Sequence, residues 1–190
     1  MTEVDEYLAQ VRGAMVGMDP RVRDDILKEL RSHLAEGASS VGGDARRALA
    51  GMDPPSSVGR EYRHVYGFGA GFKILFAAVA FLLAVPSSPI LQVTAEFPVP
   101  NLLALPFLVL LVVWIMWVSI AAGSKAGLLA GLAAFFSRAV IEAWLVATPP
   151  YPVPTAAGLS LFLITGLVLV LLGWLPGTAK KAWSKPTGDL

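Results

Sequence analysis

Near Tyr66 the chain changes the solvent it is written for. Upstream, charged residues recur every few positions; downstream come four long runs dominated by Leu, Val, Ile, Ala and Phe. Runs of about 20 apolar residues suit a bilayer, where only a helix satisfies its own backbone polar groups. The pattern predicts an all-α protein. A small helical head over residues 1–66 is expected to lead into a four-helix transmembrane bundle over 67–178 and a tail over 179–190. A length of 190 residues leaves room for one such head and one compact bundle. Mean hydropathy, at +0.64, is that of a membrane chain rather than an ordinary soluble one.

The apolar runs place spans at about 68–90, 101–121, 126–147 and 155–176. The first ends near Pro86-Ser87-Ser88-Pro89, the second carries Pro106 early, and the fourth is expected to stop at Pro176-Gly177. Arg60, Arg63, Lys73, Lys125, Lys180, Lys181 and Lys185 all fall on one side, and the loops 91–100 and 148–154 hold no Lys or Arg. By the positive-inside rule both termini are expected in the cytoplasm, with the chain multi-pass in a prokaryotic plasma membrane. Lys73 can snorkel to the inner headgroups, Trp174 and Trp183 suit the inner interface, and Tyr151 suits the outer one. The opening Met1-Thr2-Glu3-Val4-Asp5-Glu6 is acidic and lacks an apolar core, so no cleavable signal is expected and the first span serves as the anchor.

The third run differs from its neighbours. Gly123, Gly127 and Gly131 recur every four residues and Phe135, Ala139 and Ala143 continue the row, a helix-packing ridge at the spacing that lets another helix approach closely. Beside it, Arg138 and Glu142 share one helical face. A charge at mid-membrane depth is costly unless paired, which marks this intramembrane polar pair as a candidate site. At 1.5 Å per residue Arg138 lies roughly 13 Å, and Glu142 roughly 8 Å, from the outer end of the span. Thr165 and Ser160 on the antiparallel fourth span fall at about 15 and 8 Å, which makes them the nearest uncharged polar partners. Three readings of the pair stand open: a self-neutralising Arg-Glu pair that pins packing, a proton, ion or ligand site, and recognition of a partner membrane protein.

The head reads as short helices with clear punctuation. Thr2 caps a first helix with an apolar stripe of Val4, Leu8, Val11, Met15 and Met18, and Gly17 ends it. Asp19-Pro20 opens a second helix along Val22, Ile26, Leu27, Leu30 and Leu34, which Gly37 is expected to stop. After a Ser/Gly loop, Asp44 is placed to cap a short helix carrying Ala45, Ala48 and Leu49. Gly-Met-Asp-Pro occurs at 17–20 and again at 51–54, better read as convergent punctuation than as duplication. A last helix from Pro54 through Val58 and Tyr62 runs toward the first span, and Gly67, Gly69 and Gly71 form a hinge or close-packing site between them. No strand precedes these glycines, so they are not a dinucleotide fingerprint.

The runs Tyr7-Leu8-Ala9-Gln10-Val11-Arg12 and Met18-Asp19-Pro20-Arg21-Val22-Arg23-Asp24-Asp25-Ile26-Leu27-Lys28-Glu29-Leu30-Arg31-Ser32-His33-Leu34 resemble the HAAS signalling domain, as does the later stretch from Ala48 to Tyr62. The resemblance covers the N-terminal third. Gly-Met-Asp-Pro stands where family members often have Leu-Gly-Asp-Pro, keeping the cap but shifting the glycine. Such domains usually precede membrane helices and are often encoded beside PadR-like transcription regulators. What the resemblance implies is a regulatory or partner-docking role.

Catalytic chemistry is not expected. The chain has no cysteine, its two histidines, His33 and His64, stand apart, and no nucleophile elbow, phosphate loop or zinc motif occurs. No metal or other cofactor is implied. Net charge is +1, and Arg21, Arg23, Lys28 and Arg31 are interleaved with acids, so direct nucleic-acid binding is not expected. The residues fit a non-enzymatic membrane regulator whose head docks a cytoplasmic protein, a PadR-like regulator among the candidates. The alternatives are a small subunit or assembly factor of a larger membrane complex and, behind it, a small transporter. Homo-oligomerisation through the glycine ridge is a further open reading.

Overall fold

The computed structural model describes residues 2–40, 45–88, 91–93, 98–100, 102–148 and 156–183. Asp44, Tyr151 and Lys185, singled out above, lie outside these residues. The chain divides into two units, Met1–Phe72 and Lys73–Leu190.

The first unit holds α1 (Glu3–Ala14), α2 (Pro20–Ser40), α3 (Ala45–Ala50) and α4 (Pro55–Tyr66). Thr2 and Asp5 close a reciprocal capping box at the start of α1, which satisfies two N–H groups that the first turn leaves without partners. Asp19 caps α2 by accepting from the Arg21 N–H at 3.0 Å. One correction concerns Gly37, which does not end α2; the helix runs on to Ser40. α3 packs alongside this turn: a Cβ added at Gly37 would lie 3.8 Å from the Ala48 methyl, an ordinary van der Waals contact. The apolar stripes meet as read from the periodicity: Leu8, Val11, Met15, Met18, Ile26, Leu30 and Leu34 form the buried core, with Leu49, Met52, Val58 and Tyr62 packed against it. Gly59 permits the close approach of α4 to α1, because a Cβ there would meet the Val11 carbonyl at 2.7 Å.

The second unit holds most of α5 (Ala70–Ala84), a ribbon of β1 (Leu91–Val93) and β2 (Pro98–Pro100), then α6 (Ala104–Ala122), α7 (Ser124–Ala147) and α8 (Ala156–Trp183). α6, α7 and α8 are long and apolar enough to cross a membrane, and they support the reading as a membrane protein. α5 reaches that test only if counted together with α4 across the break between them. Its 15 residues extend about 22 Å, less than the roughly 30 Å of a hydrocarbon core, so α5 by itself covers only part of the expected first span. The segment expected as a plain loop at 91–100 contains an antiparallel ribbon with Leu91 opposite Pro100 and Val93 opposite Pro98. Proline at both ends of β2 removes two donors, which keeps such a strand short and at an edge.

α8 does not stop at Pro176-Gly177 but continues through the proline to Trp183. A proline inside a helix removes a backbone bond and disturbs the preceding turn. Here a side chain takes up the adjacent donor: the Gly177 N–H donates to Ser119 Oγ of α6 at 2.9 Å, and Ser119 is fully buried. One turn on, Lys180 Nζ donates to the Ile120 carbonyl at 3.1 Å, capping acceptors at the end of α6.

Candidate functional site

The second unit is packed through glycine on both faces of one seam. Gly127 and Gly131 of α7 lie against the backbone of α8: a Cβ on Gly127 would run into the Gly173 carbonyl, and one on Gly131 would meet the Leu169 carbonyl at 2.8 Å. Gly173 faces Gly127 in return, and Gly166 sits beneath the Phe135 ring. The ridge is therefore filled from within the same chain. Gly123 does not join it; with φ +91° it makes the turn between α6 and α7, and a Cβ there would meet nothing. Gly166 and Gly173 escaped the sequence reading and Gly177 was read only as a helix stop, although Gly173 and Gly177 have the same four-residue spacing.

This seam sets the depth at which Arg138 meets α8. Arg138, 3% exposed, donates from Nη1 to Thr165 Oγ1 at 3.2 Å and from Nε to Ser88 Oγ at 3.3 Å. The Phe162 ring lies under the guanidinium, 5.9 Å from its centroid. Glu142, one turn along α7 and half-buried, makes no hydrogen bond and no ion pair within 4.0 Å among the described residues. The buried cation is thus held by two hydroxyls and an aromatic face, with the carboxylate nearby but not in contact. Ser160 is exposed and turns back to the Ala156 carbonyl of its own helix, so it stays apart from the cluster.

Three residues missed as interhelical contacts link α5 and the turn after it to α6 and α7. Ser137, adjacent to Arg138 and fully buried, donates to the Phe81 carbonyl of α5 at 2.9 Å. Trp114 of α6 donates its indole N–H to the Phe76 carbonyl at 3.1 Å, inside a cluster of Phe76, Trp114 and Trp117. Ser88 completes the set through Arg138. The available signal was the Ser-Ser pair between two prolines at the end of an apolar run.

In the first unit the three hinge glycines do different things. Gly67, at φ +72°, caps α4. Gly69 donates its N–H to the Gly17 carbonyl at 2.8 Å and packs so closely that a Cβ would meet the Asp19 nitrogen at 2.9 Å. Gly71 stands in open space. The two Gly-Met-Asp-Pro copies also diverge. Gly17 takes φ +95° and Asp19 caps a helix, whereas Asp53 instead offers its carbonyl to the Tyr7 hydroxyl at 2.9 Å. Partial burial, then the Asp53 charge, holds the Tyr7 phenol above its ordinary range; burial and Glu29 do the same for Tyr62. Between α1 and α2 runs a groove of about 340 Å³, lined by Leu8 and Leu27 among charges of both signs: Arg12, Lys28 and Arg31 with Asp5 and Asp24.

Comparison with known families now bears on this first unit. Residues 6–61 match the HAAS family profile. The matched segment takes in most of α1, all of α2 and α3, and the first half of α4, which is the helical core described above. No curated protein and no solved structure matches the chain significantly.

Proposed function

We propose that the chain is a non-enzymatic membrane regulatory protein whose HAAS head docks a partner protein on the cytoplasmic face. The observation that carries this reading is the HAAS match over a segment with its own packed core, joined to helices able to cross a membrane. In this reading both termini are cytoplasmic, the bundle anchors the head, and Arg138 with Glu142 responds to a signal in the membrane or at its outer face. Coupling runs through the Gly67–Gly71 junction. A PadR-like regulator is the first partner to test. The glycine seam supports this reading over that of a complex subunit held by an open ridge, since α8 already covers Gly127 and Gly131.

The test is a mild-detergent affinity pull-down of the full chain beside two variants, one lacking residues 1–60 and one carrying Arg138→Leu and Glu142→Leu. A partner lost only with the head is the expected result. Retention of the partner without the head would overturn the docking role.

A further inference from the structure

The exposed apolar side chains of the first unit are not scattered. Among its described residues the large ones that remain exposed are Val16 (56%), Val65 (71%), Tyr66 (57%) and Phe72 (37%). The fold brings the segments beside them together. Gly69 binds the Gly17 carbonyl at 2.8 Å, and the Cβ position of Gly17 lies 2.7 Å from the Phe68 ring and 3.8 Å from that of Phe72. The turn carrying Val16 is thus seated on the segment that follows Val65 and Tyr66. His64 is exposed at the same helix end and Arg60 one turn before it, and Arg63 lies over the Phe68 ring at 6.0 Å. An apolar tip with aromatic and basic neighbours has the chemistry of a headgroup boundary.

Chain length limits what this tip can face. Four peptide steps separate Tyr66 from Ala70, the first residue of α5, and span at most about 14 Å. The headgroup layer on each side of a bilayer is about 5–8 Å deep. We infer that the face formed by Val16, Val65 and Tyr66 is a lipid-contact surface, seated at the headgroup–acyl boundary with Arg60 and Arg63 at phosphate level. This rests on the reading that α5 enters the bilayer. The surface holds the head against the membrane and leaves the α1–α2 groove as a separate surface for protein.

The absence of cysteine allows a direct test. Val16→Cys and Val65→Cys, with Glu36→Cys and Leu82→Cys as references, are labelled with a fluorophore and placed in nanodiscs of phosphatidylcholine and phosphatidylglycerol. Each is quenched by iodide in water and, separately, by spin-labelled lipid. Val16 and Val65 are exposed, so their replacement leaves the fold intact. Expected are loss of iodide quenching and gain of lipid quenching at both, as at Leu82, with Glu36 the reverse. Lipid quenching at Leu82 while Val16 and Val65 behave like Glu36 overturns this inference and leaves the membrane reading standing. Shielding of Val16 and Val65 from both quenchers means that protein covers the face, which also overturns it. No lipid quenching at Leu82 sinks both.

Discussion

Arg138 on α7 and Thr165 on α8 are joined by a hydrogen bond of 3.2 Å from guanidinium to hydroxyl. The bond places a buried cation on polar side chains from outside its own helix, and it makes the energetics of the cluster separable. Thr165→Val and Ser88→Ala are each expected to lower stability by about 1 kcal/mol, the scale of interhelical hydrogen bonds in membranes. Arg138→Leu, which removes the charge with its need for partners, is expected to be near neutral. Arg138→Lys is expected to fall below it, because a point ammonium cannot reproduce the two-directional fork. Reversible unfolding in mixed micelles measures all four. A severely unstable Arg138→Leu beside a neutral Thr165→Val would show that the cation is held by something else.

The α7–α8 seam predicts position-dependent glycine effects. Gly127→Ala and Gly131→Ala push a methyl into backbone of α8 and are expected to cost about 1–3 kcal/mol each. Gly71→Ala meets nothing and is expected to leave the unfolding midpoint unchanged or slightly raised. Equal effects at all three positions would contradict the close approach.

Two identical tetrapeptides should respond unequally. Gly17→Ala strains a residue at φ +95° and drives a methyl into Phe68, at an expected cost of about 1–3 kcal/mol. Gly51→Ala, with open space around it, is expected to change stability by less than about 0.5 kcal/mol. Thermal melts of the two variants decide the matter.

The head should weaken in acid. Hydrogen bonds from Thr2, and then the Arg31 charge, hold the Asp5 carboxyl below its ordinary value. A lowered folded pKa means that the contribution is complete above the unfolded pKa and is lost as pH falls through the folded one. Thr2→Ala is expected to flatten this part of the acid dependence, read by circular dichroism in nanodiscs. An unchanged acid slope would remove Asp5 from the explanation.

Crossing number can be counted from outside the cell. Single cysteines replacing Ala9, Gln92 and Trp183 are treated with a membrane-impermeant maleimide. Only Gln92 is expected to react in intact cells, with Ala9 and Trp183 reacting after permeabilisation. Reaction of Trp183 but not Ala9 from outside would mean an odd number of crossings, and that α5 does not complete one.

Much of the head was legible beforehand because its helices obey local rules. Thr2 and Asp19 cap where a side-chain oxygen can reach an unpaired N–H, and the stripe from Leu8 to Leu34 reports the buried faces. Gly37 and Pro176 misled for one reason: a breaker ends a helix only when nothing else holds the next turn. Ala48 of α3 lies one methyl's reach beyond the first, and Ser119 meets the donor beside the second.

For the site, sequence periodicity alone marked Arg138 and Glu142 as neighbours on one face and Thr165 as a hydroxyl at similar depth. Apolar length likewise marked α6, α7 and α8 as stretches that suit lipid. The tertiary structure decided who meets whom. Ser88 and Thr165, not Glu142, touch the guanidinium, and Gly127 finds Gly173 of its own chain. Periodicity places a side chain on a helix face and at a depth, but contact depends on the approach and rotation of a second helix, which are set by packing along the whole seam.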